Sequence, residues 1–192
     1  ISVLKNLDLK LVKVIDTHIH ADHISGLNEL SKRTKCSKIM GEHSSSEVID
    51  IHVKDNEKIK IENIELISIY TPGHTDCSYS FLMNDRVFTG DALLINSTGR
   101  TDFQNGNSHD AYESLFNKLL KLPEMTLVYP AHDYNGKKNS TIKNEKRNNP
   151  RLQVGSVEEY AEMMNNLNLE FPEMIDIAVP ANVKGLTLDQ VS

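Results

Sequence analysis

Asp16-Thr17-His18-Ile19-His20-Ala21-Asp22-His23 sets three imidazoles and two carboxylates within eight residues, a density that neither a solvated surface nor an apolar core requires. Upstream, Leu11-Val12-Lys13-Val14-Ile15 is β-branched and loosely alternating, which predicts a strand. Downstream, Ile24, Leu27 and Leu30 recur at helical spacing, which predicts a helix from Asp22 to about Thr34. The cluster then sits on a strand-to-helix turn. His18 and His20 can converge on one ion there, while Asp22 and His23 project from the start of the helix. Any one of these histidines could be ordinary loop polarity, but four ligand-type side chains in six positions read as a metal site. One turn cannot surround an ion, so further ligands must arrive from elsewhere in the chain.

Three strand ends supply them. Thr71-Pro72-Gly73-His74-Thr75 follows the apolar run Ile64 to Tyr70 and puts His74 in a loop loosened by glycine. Val87-Phe88-Thr89-Gly90-Asp91 repeats that layout with a carboxylate, costly to bury without a cation. Leu127-Val128-Tyr129-Pro130-Ala131-His132-Asp133-Tyr134 delivers His132 in the same way. Taken singly, each is better explained as a loop histidine or a capping aspartate; together with the first cluster they form a ligand set.

With 192 residues, 39% of them hydrophobic and 25% charged, the chain is long enough for one domain with a real core and short for two. A net charge of −6 argues against a nucleic-acid or anionic-membrane binder, both of which need a basic face. No apolar run approaches the ~18 residues of a membrane span. The two cysteines, Cys36 and Cys77, do not make a disulfide framework, which points to a reducing, intracellular compartment. The chain opens at Ile1 and meets the metal cluster within its first twenty residues, so a truncated or processed start, without a targeting segment, is expected.

Further strands are predicted at Ser37 to Gly41 and in two hairpins. The first joins Lys58–Ile61 to Ile64–Tyr70; the second joins Ser78–Met83 to Arg86–Thr89 across Asn84-Asp85, a pair suited to positive backbone angles. A helix is predicted from His109 to Lys121, capped by Ser108, and another from a capping box at Ser156-Val157-Glu158-Glu159 to about Asn166. Asn135 to Asn149 reads as a polar loop or short exposed helix, and the tail from Pro172 through Pro180 as packed extended chain. His43, His52 and His109 read as surface residues, and Lys137, Lys138, Lys143, Lys146 and Arg147 as a solvated basic face. Hairpins mixed with helices, without strict βαβ alternation, favour an α+β class in which sheets are covered by helices, as a layered arrangement or a sandwich.

The histidine cluster, the glycine-histidine loop, Gly90-Asp91 and the late Pro130-Ala131-His132 resemble the metallo-β-lactamase superfamily. Gly90 to Ile95, Gly99-Arg100-Thr101-Asp102-Phe103-Gln104, Tyr129 to Tyr134, Asn149-Pro150-Arg151-Leu152, and Met164 to Leu169 leading to Ile175 through Asn182 narrow the resemblance to its persulfide dioxygenases. The resemblance runs almost from end to end and implies one αβ/βα-sandwich domain over residues 1–192, lacking the first N-terminal strands. It implies one Fe(II) per chain held by His18, His74 and Asp91, which leaves open positions for a sulfur and O₂. It also implies oxidation of glutathione persulfide by O₂ to sulfite and glutathione, with Arg100, Tyr134 and Arg151 lining the glutathione cradle. The implied home is mitochondrial in a eukaryote and otherwise cytoplasmic, and a homodimer is compatible with the sequence.

In dinuclear relatives His20, Asp22, His23 and His132 complete a second metal site, so the alternative is a glyoxalase II-like hydrolase of S-lactoylglutathione, with zinc as the metal. In the dioxygenase reading these four act around the iron site instead. A non-catalytic binding protein is the third reading. Two positions depart from the family pattern: Asp76 stands where a glycine is expected before Cys77, and Asn96 where a basic residue is frequent. Cys77 reads as a buried, inert thiol.

Overall fold

The computed structural model describes residues 1–133 and 136–191. A short helix α1 (Ser2–Asn6) leads to β1 (Lys13–Ile15), and α2 (Leu27–Thr34) returns the chain to β2 (Ser37–Gly41), parallel to β1. β3 (Ile51–Val53) adds in parallel beside β2, giving a sheet in the order β1-β2-β3.

The second sheet starts with the antiparallel strands β4 (Lys58–Ile61), β5 (Ile64–Tyr70), β6 (Tyr79–Leu82) and β7 (Arg86–Gly90). A small hairpin, β8 (Leu93–Leu94) with β9 (Ser97–Thr98), stands apart from it. Helix α3 (Ser108–Tyr112) continues into a π-turn (Glu113–Lys118) and a 3₁₀ turn (Leu119–Lys121). The chain then re-enters the sheet as β10 (Leu127–Pro130), parallel to β7, and β11 (Ser140–Thr141), antiparallel to β10. The strand order is β11-β10-β7-β6-β5-β4. Helices α4 (Ile142–Asn148), α5 (Val157–Asn165), α6 (Ile175–Lys184) and α7 (Leu188–Val191) complete the chain.

Side-chain alternation along the strands builds the layers, since successive residues face opposite sides of a sheet. In β2, Ile39 points between the sheets, where it meets Val53, Ile59, Leu66, Tyr79 and Phe81. Its neighbour Met40 points the other way and packs with Leu27 of α2 and Val179 and Val183 of α6. On the far side of the larger sheet, Val87 and Val128 meet Leu115, Leu119, Ile142 and Tyr160. The order helix, sheet, sheet, helix is the sandwich expected from the sequence. The functional strands β5, β7 and β10 all end toward the same edge, where the histidine loop after β1 also emerges.

Several local expectations are corrected. Helix α2 begins at Leu27, not Asp22, because Ser25 Oγ accepts from Leu27 N (3.1 Å) and residues 20–25 are held open by side chains from other elements. Asp22 and His23 therefore project from an irregular loop. Asn107, not Ser108, caps α3, accepting from His109 N and Asp110 N. That helix widens at Glu113 instead of running regularly to Lys121, so that buried Ser114 donates to Pro72 O (2.7 Å) while Leu115 and Leu119 stay in the core. The turn at Asn84-Asp85 needs no positive φ: Met83 N donates to Arg86 O and the Asp85 carboxylate takes the Arg86 guanidinium.

The tail is not extended. Ala178, Ala181 and Asn182 recur on one helical face and are buried, and α6 forms despite Pro180, whose lost donor and steric cost that burial outweighs. Of the segment read as a polar loop or exposed helix, Ser140–Thr141 forms a strand and Ile142–Asn148 a helix that buries Ile142 and Glu145. The short parallel strand β3 has no counterpart among the predicted elements.

Candidate metal centre and its cavity

His18 lies just beyond β1, His74 beyond β5 and Asp91 immediately after β7. One nitrogen from each histidine and one carboxylate oxygen fall within 4.8 Å of one another. Asp91 Oδ2 is 3.7 Å from His18 Nε2, 3.6 Å from His74 Nε2 and 3.6 Å from His132 Nε2. Those separations are too long for hydrogen bonds, yet suit donor atoms arranged about a shared cation. The far nitrogens are tied back. His74 Nδ1 donates to Arg100 O (2.8 Å), which puts its proton on Nδ1 and leaves the Nε2 lone pair free. His18 Nδ1 pairs with Thr17 Oγ1 (2.9 Å). Burial, with His20 and His74 adding to it, lowers the His18 pKa well below the usual imidazole range, so the ring stays neutral and can coordinate.

Two glycines make this approach possible. Gly90, with φ +52°, turns the chain so that Asp91 faces inward, and a Cβ there would lie 2.5 Å from Thr17 Oγ1. Gly73, with φ +135°, lets the His74 loop rest on α3, where a Cβ would come within 2.3 Å of the Ala111 Cα.

The residues fit a metal by a further test. Asp91 Oδ1 and His20 Nδ1 are buried and lack a hydrogen-bond partner among the described residues, a cost that coordination would remove. His20, Asp22 and His23 form a second group with ligand atoms within 4.8 Å. In this group Asp22 Oδ1 is 3.0 Å from His23 Nδ1 and Oδ2 is 3.2 Å from His132 Nε2. The His132 contact, foremost, holds the Asp22 carboxyl well below its ordinary range, and in turn raises His132. His132 thus stands between Asp22 and Asp91.

An open cavity of about 400 Å³ leads to His18, His74 and Asp91. Its walls include Leu94, Phe103, Leu169 and Pro172, and its charged lining includes Arg100 and Arg151. Arg100 spends three of its five donors within the protein: its guanidinium pairs with both oxygens of Asp102 (2.7 and 2.8 Å) and donates to Glu170 O (2.7 Å). It staples the wall at residues 169–172 to the rim. Arg151 donates from Nη1 to Thr98 O (2.5 Å), pairs with no carboxylate among the described residues, and feels its burial as a lowered pKa. Tyr134 lies outside the described residues.

The network behind Arg151 went unread in the sequence. Glu145, fully buried, accepts from Asn96 N, Ser140 Oγ, Asn144 Nδ2 and Asn149 Nδ2, and Asn149 Oδ1 accepts from Arg151 N. Asn96, one of the two departures, sits at φ 57°, where its amide serves this carboxylate. Asp76, the other, accepts from Asn105 Nδ2 (2.8 Å). Gln104, within the Gly99 to Gln104 motif, donates its amide to Ile19 O (2.8 Å) in the histidine loop. His43, read as surface, is exposed but stacks on Tyr70 with ring centroids 4.1 Å apart.

Cys77 is buried, accepts from Ile19 N (3.5 Å), and has its thiol pKa pushed up by desolvation. Cys36 is buried as well. Neither is expected to react with iodoacetamide in the native protein, and both should react once urea unfolds it, as read by mass spectrometry; rapid native labelling of Cys77 would contradict its inert role.

A model of the metallo-beta-lactamase superfamily matches residues 4–59 and 41–132. The mitochondrial persulfide dioxygenase ETHE1 of Mus musculus is 43% identical over 185 residues, covering 95% of this chain and 72% of that protein. The crystal structure of ETHE1 from Myxococcus xanthus superposes with a TM-score of 0.92 at 46% identity, over 95% of this chain and 80% of that one. A hydroxyacylglutathione hydrolase of Dictyostelium discoideum is 33% identical over 135 residues, 66% of this chain and 50% of that protein. Among the described residues no helix is long and apolar enough to cross a membrane.

Proposed function

Because the chain belongs to the metallo-β-lactamase superfamily and, within it, to the persulfide dioxygenase family, we propose that it oxidises glutathione persulfide with O₂ and water to sulfite and glutathione, using one Fe(II) held by His18, His74 and Asp91. The observation that supports this reading is the three-donor cluster in the cavity lining, in which the Nε2 atoms of His18 and His74 stand 3.7 and 3.6 Å from Asp91 Oδ2. Two imidazoles and a carboxylate with open positions suit non-haem Fe(II). Iron, when bound, supplies the redox chemistry between the persulfide sulfur and O₂.

The chain's own side chains do the rest. Thr17 and Arg100 O fix the ring orientations of His18 and His74. Arg151, aimed by Thr98 O, binds a glutathione carboxylate, and Tyr134 completes the cradle. Arg100 acts indirectly, by holding the wall that carries Leu169 and Pro172 over the cavity. Asp22 holds a proton at His132 Nε2 beside Asp91, where it can meet charge that develops on a departing group.

One observation favours a second reading. His20, Asp22 and His23 are themselves close enough to hold an ion, which would suit a two-metal thioester hydrolase. Metal analysis of anaerobically purified protein, paired with O₂ uptake on glutathione persulfide, separates the two. One iron per chain with uptake is the expected result. Two zincs with S-lactoylglutathione cleavage and no uptake would replace it.

A further inference from the structure

We propose that Asn182 is a positioning residue for the metal centre: its one side-chain amide clamps the histidine loop from the opposite end of the chain and sets where Asp22 stands. This rests on the metal-centre reading above and adds a residue to it. Asn182 is on α6, buried, and uses its amide fully. Nδ2 donates to His20 O (2.9 Å) and to His23 O (2.9 Å), and Oδ1 accepts from Ser25 N (2.8 Å). The two carbonyls bracket Ala21-Asp22, so the clamp fixes both ends of the piece that carries Asp22.

The loop cannot fix itself. Residues 16–26 contain no helix or strand; their ends bond to backbone, Asp16 N to Ile39 O, Thr17 O to Tyr79 N and Gly26 O to Leu30 N, and between those ends side chains do the holding. Gln104 takes Ile19 O and Cys77 takes Ile19 N, both next to His18. From His20 to Ser25 the holding is by Asn182, helped by Ser25 Oγ on Asp16 Oδ2 (2.5 Å). What the clamp positions is specific. Asp22 Oδ2 is 3.2 Å from His132 Nε2, and that nitrogen is 3.6 Å from Asp91 Oδ2. A shift of Asp22 therefore passes through His132 to the carboxylate that the metal shares. No other residue type of this size offers two donors and one acceptor in a plane.

The test is cobalt(II) titration of the full chain, followed by visible absorption, on the parent, Asn182→Leu, Asn182→Asp and Ala178→Gly. Asn182→Leu keeps the branching and the number of heavy atoms, though it is bulkier, and removes all three bonds. Asn182→Asp keeps the acceptor for Ser25 N and turns a carboxylate toward two carbonyls. Ala178→Gly loosens the same helix at a fully buried position and removes none of the three bonds to the loop. Both Asn182 variants are expected to weaken cobalt(II) binding by about 10–100-fold and to alter its visible spectrum, as for partners that orient metal ligands. Ala178→Gly should lower Tm while keeping the parent's affinity and spectrum.

Parent-like binding by Asn182→Leu, or an equal loss in Ala178→Gly, would overturn the inference while leaving the proposed function standing. A parent chain that takes up no cobalt(II) would remove both. If Asn182→Leu does not fold, hydrogen exchange on the parent decides: the Ser25 amide, which donates to Asn182 Oδ1, should be protected well above the solvent-open rate, and free exchange there would refute the clamp.

Discussion

Asp91→Ala is expected to abolish binding of the proposed Fe(II) and persulfide oxidation together, with kcat/KM falling by more than the ~100-fold typical of losing a partner that merely orients a ligand. Asp91 supplies the carboxylate of the three-donor set, and its Oδ2 is the atom that His18, His74 and His132 all face. The metal-free protein should behave differently. A buried carboxylate with one unpartnered oxygen opposes folding until a cation arrives, so metal-free Asp91→Ala should melt at or above the parent's temperature. What disappears is the gain on adding Fe(II), worth about 2.7 kcal/mol for the parent at a hundredfold excess over Kd. Calorimetry with and without iron reads both effects. Parent-like iron content in Asp91→Ala would end the assignment of this residue as a ligand.

Arg151→Ala should raise KM for glutathione persulfide by about 10–100-fold and leave kcat within a few-fold. A charge-assisted hydrogen bond to a carboxylate is worth about 1.5–3 kcal/mol, and every 1.4 kcal/mol is a factor of ten in binding. Arg151 is half-buried, already oriented by Thr98 O and backed by the Asn149 and Glu145 network, so little ordering is left for the substrate to induce. Arg151→Lys should recover only part of the loss, since a point charge cannot reproduce the fork. Arg100→Ala is expected to differ in kind: its guanidinium is occupied by Asp102 and Glu170 O, so loosening of the 169–172 wall should lower kcat as well. Steady-state kinetics on the three variants separate these roles, and an unchanged KM in Arg151→Ala would strip that residue of its place in the cradle.

The strands that carry the site were legible because their signals are local. Runs such as Ile64 to Tyr70 alternate, end in glycine or proline, and are followed at once by the ligand-type residue, so position and chemistry are read from one short window. The histidine loop was legible by density alone. Its conformation was not, since what holds residues 20–25 is an amide at position 182, and no window contains both. The tail misled for a related reason: Ile175, Ile177 and Val179 imitate strand alternation, while the face that packs is Ala178, Ala181 and Asn182. Arg100 shows a middle case. Its pairing with Asp102 is two residues away and could be anticipated, whereas the bond to Glu170 O needs the folded chain.

The distance between residues 20 and 182 also sets a timetable. A nascent polypeptide on the ribosome displays the histidine loop early, but the residue that must grip it is added 162 positions later. A metal ion that arrives before α6 is in place meets a loop without its clamp, so full grip on the ion waits for that late helix to dock.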